Sequence, residues 1–175
     1  MKFEIIDNLV PIELSNQIEK TFLTDLPWYH FDDVTYANEK IDSVDFEKSP
    51  GFNHEFFDYK TGLNSNFFTL VENIPHLIFK NFKFLKVRAF FQLPTIGEKI
   101  HNNPHKDFQF PHTVLLYYVN DSDGDTFFFD DDEKIMAKVS PKKGRILVFD
   151  GRTLHASSQP KKNKRIIINY GIKND

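Results

Sequence analysis

The sequence predicts a mainly β fold, a sandwich or barrel of short strands with α-helices flanking it. Three observations carry that expectation. After Asn81 the chain is a series of short β-branched or aromatic runs bounded by turn residues, the pattern of an all-β sandwich or barrel. Helical periodicity is confined to the part before Asn81. The core material is aromatic: 20 of 175 residues are phenylalanine, some consecutive as in Phe127-Phe128-Phe129.

Taken in order, residues 3–6 (FEII) read as a short strand. Pro11 suits the first turn of a helix, and Leu14, Ile18 and Phe22 at spacing four give that helix one apolar stripe. From Trp28 to Asn66 periodicity is lost and aromatics alternate with polar residues. This stretch reads as irregular loop with one short strand, and as a candidate lid. Residues 67–81 look helical with a break near Pro75. Strands are predicted over 84–93, 113–119, 125–129, 134–139, 145–149 and 165–170. There is no internal repeat, low-complexity tract or linker. Residues 1–175 are therefore expected to form one domain, with a strand, helices and candidate lid in 1–82 and the β core in 83–172.

Composition excludes several classes. With 40% hydrophobic and 27% charged residues the chain is globular rather than disordered. No run approaches the ~20 apolar residues of a membrane span. The opening MKFEIIDNLVPIELSN is acidic and lacks a long apolar centre, so it does not read as a secretory signal. Together with the absence of cysteine this leads to an expected cytoplasmic location without membrane attachment. Any metal must be held by nitrogen and oxygen. A net charge of −3 gives no general reason to expect a nucleic-acid partner.

Of the seven histidines, His30, His54 and His76 read as ordinary surface residues. His105 and Asp107 differ through their spacing, since residues i and i+2 of an extended segment point to one side. Alone, that pair is either half of a metal site or a polar turn. His155, after the run RILVFDG, is the candidate distant ligand. Two histidines and a carboxylate leave positions open on a metal, as in non-haem Fe(II) oxygenases. Arg165, ten residues after His155, has two readings. Buried, it needs a counter-charge, and an anionic ligand suits its fork; exposed, it continues the basic run Lys161-Lys162-x-Lys164.

HKD at 105–107, TVLLYYVND at 113–121, GDTFFF at 124–129, PKKGRILVFDGRTLH at 141–155 and KRIIINYGI at 164–172 together resemble the Fe(II)/2-oxoglutarate dioxygenase superfamily. The likeness is greatest to its prolyl-4-hydroxylase-like branch, in the compact form common in bacteria and phages. It covers roughly 84–172, and the opening FEIIDNLVPIEL is similar to that branch's lead-in strand and helix. The resemblance implies a double-stranded β-helix, a jelly-roll, cupin-like barrel with helices outside. It implies Fe(II) held by His105, Asp107 and His155, with 2-oxoglutarate and O2 as cosubstrates. Arg165 is similar to the residue pairing the distal carboxylate of 2-oxoglutarate, Tyr118 to a tyrosine bonding the same group, and Thr126 to a pocket-lining threonine. The implied reaction hydroxylates an unactivated C–H bond, foremost in a peptide or protein side chain, and releases succinate and CO2.

Two departures stand out: FFQLPT replaces a segment that often carries an aromatic hydroxyl, and Asp123-Gly124 replaces a usual Gly-Gly. His101, His112 and Phe108 are candidates for the substrate rim. Competing readings are a non-catalytic metal-binding jelly roll and an oxygenase acting on a small molecule or nucleic acid. The nucleic-acid reading is weakened because Gly171 stands where dealkylases tend to carry a second arginine. DSDGDT at 121–126 reads as a turn rather than a calcium loop, since Thr126 takes the glycine position. Oligomeric state leaves no signal in the sequence.

Overall fold

In the strand Phe82–Gln92, apolar Leu85, Val87, Ala89 and Phe91 alternate with Lys86, Arg88, Phe90 and Gln92. Successive strand side chains point to opposite faces, so one strand serves two environments. The same holds at the C-terminus, where Ile166, Ile168 and Tyr170 alternate with Arg165, Ile167 and Asn169. These alternations set the layers of the molecule. A computed structural model describes residues 2–34 and 49–174.

The elements are β1 (Phe3–Ile6), α1 (Ile12–Thr24), β2 (Tyr29–Phe31), β3 (Gly51–Asp58), β4 (Gly62–Leu63), α2 (Phe68–Val71), a 3₁₀ turn (Pro75–Leu77), β5 (Phe82–Gln92), β6 (Thr113–Tyr118), β7 (Thr126–Phe129), β8 (Ile135–Val139), β9 (Ile146–Asp150), β10 (His155–Ser157) and β11 (Arg165–Asn174). The large sheet has eight strands in the order β1-β9-β6-β11-β5-β3-β2, with β4 pairing β3; the small sheet is β10-β7-β8. The pairings between these strands are antiparallel. This is the predicted mainly β jelly roll, a double-stranded β-helix. It is an open sandwich rather than a closed barrel, because the two sheets share no paired strands among the described residues.

One face of the large sheet packs on the helices. Ile18 and Phe22 of α1 and Phe68 and Val71 of α2 meet Val87, Ala89, Leu115, Ile166 and Ile168 in one buried cluster. Polar tips are tied down there: Tyr117 donates to Ser15 Oγ at 2.9 Å and Tyr170 to the Val71 carbonyl at 2.9 Å. The other face meets the small sheet through Phe90, Leu116, Phe128, Leu147, Phe149 and Ile167. Between the sheets, beyond that apolar patch, lies a cavity of about 410 Å3.

The α1 stripe and the six predicted strands are present, with β11 extending to Asn174. The structure corrects the reading of 28–66 as irregular loop. Within it, β3 is an eight-residue strand paired with β5, flanked by β2 and β4. Of the candidate lid, residues 51–58 therefore belong to the sheet, and residues 35–48 lie outside the described residues. The helix expected over 67–81 is reduced to one α-turn and a 3₁₀ turn, because Pro75 lacks the N–H that would continue the ladder. His54 is not a surface residue: it is buried, with Nδ1 2.8 Å from the Pro27 carbonyl and Nε2 2.8 Å from Ser65 Oγ. Burial lowers its proton affinity. No helix among the described residues is long and apolar enough to cross a membrane.

Candidate metal centre and its cavity

The fold brings His105, Asp107 and His155 together, with one ligating atom from each lying within 4.8 Å of the others. Their positions follow from backbone pairing. His105 and His155 form an isolated antiparallel bridge, with N–H to O distances of 2.9 and 3.1 Å. Asp107, two residues on, turns back toward both rings: Oδ1 is 3.6 Å from His105 Nε2 and 3.9 Å from His155 Nε2.

Each imidazole is oriented by a carbonyl. His105 Nδ1 lies 3.2 Å from the Asn103 oxygen, and His155 Nδ1 lies 2.9 Å from the Thr153 oxygen. A carbonyl only accepts, so in the neutral rings the proton sits on Nδ1 and the Nε2 lone pairs are free to face Asp107. Burial and neighbouring His105 push His155 down to about 4, which keeps it neutral at physiological pH. Burial works against ionisation of Asp107, but the two imidazoles, Arg88 and Asn169 outweigh it and hold the carboxyl below the usual range. Asn169 Nδ2 donates to Asp107 Oδ2 at 3.1 Å. Asn169→Ala is expected to weaken Fe(II) or Co(II) binding by roughly 10–100-fold, as loss of a ligand-orienting bond does; anaerobic metal titration checks it.

Arg165 is buried inside the fold, so its side chain does not continue the exposed lysine run. Its Nε donates to the Gly124 carbonyl at 2.9 Å, one terminal nitrogen to Gln92 Oε1 at 2.9 Å and the other to Thr126 Oγ1 at 3.0 Å. Each terminal nitrogen therefore keeps one N–H, a fork matched to a carboxylate. No carboxylate pairs with Arg165 at ion-pair distance among the described residues; Asp125, the acidic group acting on it electrostatically, is held by Lys138 at 2.8 Å. Gly124 is required by close approach, since a Cβ there would stand 2.8 Å from the Ser158 oxygen and 2.9 Å from Arg165 Cδ.

The other predicted residues divide. Thr126 lines the cavity with Arg165 and the triad. Tyr118 sits behind them, its hydroxyl 2.8 Å from Thr126 Oγ1 and its ring 5.9 Å from the Arg165 guanidinium, and it is not among the lining residues. Nor do His101, His112 and Phe108 line the cavity. His101 covers Phe127 and Phe129, with ring centroids 5.7 and 4.7 Å away. His112 is buried against Gly151 and stacks edge-on with Phe108 at 5.0 Å.

Several lining or supporting residues escape the sequence reading. Gln92, inside the divergent FFQLPT segment, holds Arg165 and also donates to Gln159. Asn120 Oδ1 accepts the Ile166 N–H at 2.9 Å and its amide donates to the Lys164 carbonyl at 2.8 Å, fixing the backbone on both sides of Arg165. Asp123 accepts the N–H groups of Lys161, Lys162 and Asn163, so DSDGDT is a structural turn clasping the loop before β11. Gln92 ends a strand that already alternates polar and apolar residues, and Asn120 and Asp123 lie in the connection between β6 and β7, so none of them stood out in the sequence.

No protein-family model matches the sequence, and no curated protein matches it. Solved structures match in fold. A viral collagen prolyl hydroxylase from Paramecium bursaria Chlorella virus-1, solved as a 2-oxoglutarate complex, aligns with TM-score 0.62 at 16% identity over 100% of this chain and 97% of its own. A 2-oxoglutarate-Fe(II) oxygenase-family protein from Burkholderia pseudomallei aligns with TM-score 0.74 at 10% identity over 98% and 86%. A Trichoplax adhaerens prolyl hydroxylase, in complex with a hypoxia-inducible-factor peptide, aligns with TM-score 0.60 at 15% identity over 98% and 83%. The chain has the fold of the Fe(II)/2-oxoglutarate oxygenases, including its prolyl-hydroxylase-like members.

Proposed function

We propose that the protein is an Fe(II)- and 2-oxoglutarate-dependent oxygenase that hydroxylates an unactivated C–H bond, with a peptide or protein side chain as the substrate class. The observation that carries the reading is the donor set. Two imidazoles with Nδ1 engaged by carbonyls and one carboxylate offer ligand atoms within 4.8 Å of one another, the donor set of a non-haem Fe(II) site. The residues therefore fit the metal, with His105, Asp107 and His155 as its holders.

Arg165 fits 2-oxoglutarate. Its spare N–H fork faces a cavity in which Thr126 and Gln92 fix its plane, and Tyr118 supports Thr126 from behind. When bound, Fe(II), 2-oxoglutarate and O2 supply oxidative decarboxylation to succinate and CO2 coupled to transfer of one oxygen atom to a substrate C–H bond. The chain's own work is positioning. Asn169 aims Asp107, the carbonyls of Asn103 and Thr153 aim the imidazoles, and Phe90, Leu116 and Ile167 line the cavity with apolar surface. Ligand groups must be unprotonated to bind metal, and the low proton affinity of His155 serves that need.

The peptide reading draws on the neighbours that are prolyl hydroxylases, one of them a peptide complex. Residues 1–175 are proposed to act as one catalytic domain in the cytoplasm, without a nucleic-acid partner. The test is succinate formation from 2-oxoglutarate with Fe(II) and ascorbate, followed by a peptide screen for a gain of one oxygen mass. The expected result is metal-dependent succinate that rises with a hydroxylated peptide. Metal binding without any 2-oxoglutarate binding would leave the non-catalytic jelly roll as the better reading.

A further inference from the structure

Arg88 stands in the cavity wall with no carboxylate at ion-pair distance among the described residues. Its Nε is buried and has no hydrogen-bond partner. The guanidinium lies over the Phe90 ring at 5.1 Å, a contact that leaves its N–H edge free. The nearest candidates for a counter-ion are committed elsewhere. Glu55 and Asp58 take Lys86 at 3.0 and 2.9 Å, and Asp107 turns Oδ2 to Asn169 and Oδ1 to the histidines. Arg88 is half-buried, with its Nε shut from water; a guanidinium nitrogen held that way without a partner is costly, and burial lowers its proton affinity against the pull of these carboxylates.

Two further features narrow the ligand. Asp107 is the only carboxylate lining the cavity among the described residues, against Arg88, Lys106 and Arg165. Arg88 is also not a second hand for the ligand of Arg165. In the β5–β11 register Arg88 faces Asn169 while Gln92 faces Arg165, and four strand residues span about 13 Å. Phe90, Ile167 and Leu116 floor the space between the two cations.

We propose that Arg88 is the receptor for a carboxylate of the primary substrate, so that the enzyme selects an acidic molecule, either an acidic peptide or a free chain-terminal acid. The inference rests on the oxygenase reading and deepens it. The substrate's carboxylate docks on the Arg88 fork, its apolar body lies on Phe90 and Ile167, and the C–H bond to be attacked is thereby presented beside the His105, Asp107 and His155 triad. Lys106, exposed on the rim, adds attraction for the same charge.

The test uses matched probes: N-acetylated proline and proline-containing tripeptides as free acids and as amides, and the same tripeptides with Glu or Gln beside the proline. Binding to the full chain, loaded with Zn(II) and 2-oxoglutarate, is read by ligand-observed NMR. The expected result is that an acid series binds wild type about tenfold or more tightly than its neutral partner, the worth of a charge-assisted pair. Arg88→Gln erases that preference, and Arg88→Lys keeps part of it. Equal binding of acids and neutral partners by wild type, including binding of neither, overturns the proposal, as does a preference that survives in Arg88→Gln. Calorimetry separates cosubstrate from substrate: the proposal requires 2-oxoglutarate affinity to hold in Arg88→Gln, and its parallel loss reassigns Arg88 to the cosubstrate. Failure of the oxygenase reading would show independently, as wild type that neither binds 2-oxoglutarate nor forms succinate.

Discussion

Asp107→Ala is expected to abolish tight Fe(II) binding while the chain still folds. Asp107 is the sole anionic donor of the triad, and removing it leaves a divalent cation with two neutral imidazoles. The loss should exceed the roughly 10–100-fold that follows when only a supporting hydrogen bond is removed. The fold survives because the bridge between His105 and His155 is made by backbone atoms and needs no carboxylate. His155→Ala acts in the same direction with an added cost in stability. Its ring packs edge-on against Phe149 at 4.8 Å in a buried setting, and truncation there opens a cavity. Anaerobic Fe(II) titration, with a thermal melt on the same samples, separates the two effects. Unchanged metal affinity in Asp107→Ala would remove the ligand assignment.

Arg165→Met should cost 2-oxoglutarate affinity far more than stability. The substitution keeps most of the volume but deletes a fork that can give two charge-assisted bonds to a carboxylate, a loss of about 100-fold or more in affinity. Folding feels two opposed changes. Gly124 O, Gln92 Oε1 and Thr126 Oγ1 each lose a donor, while a charge buried without a carboxylate partner is removed. These offset, so the net change is expected to stay within about 2 kcal/mol. Calorimetric 2-oxoglutarate binding and denaturant melts measure the two arms. Arg165→Lys keeps the charge without the planar fork and should fall between. Wild-type affinity in Arg165→Met would place the cosubstrate elsewhere.

The β core was readable because its strands are apolar on at least one face and end at turn residues, as in TVLLYYV and RILVF. β3 escaped because its pattern mixes buried polar Asn53 and His54 with half-buried Phe52 and Phe57 and holds a register shift between Glu55 and Phe57. Period two is blurred in such a segment. The triad was legible through the ordered set of motifs rather than through His105-x-Asp107 alone. Arg88 was hidden by a different effect. Lys86, Arg88 and Gln92 alternate with Val87, Ala89 and Phe91, and such a polar stripe reads as a solvent face. Here Arg88 and Gln92 line the cavity between the sheets, while Lys86 pairs with Glu55 and Asp58. His101 and His112 were rim candidates through proximity in sequence to His105; in the structure each packs against aromatic rings and neither lines the cavity.

The bridge between His105 and His155 also bears on how such a chain can diverge. Fifty residues separate the two imidazoles, yet their spacing in space is set by a direct backbone handshake. The intervening β7–β8 connection is exposed at its tip, Asp131–Glu133, and closed by its own bonds, with Asp130 Oδ1 accepting the N–H groups of Asp132 and Lys134. Insertions or deletions at that tip would alter the count of residues between the histidines and leave the distance between them untouched. Linear spacing is thus free to drift across lineages while the chemistry stays in register, which suits a chain whose architecture is shared at 10–16% identity.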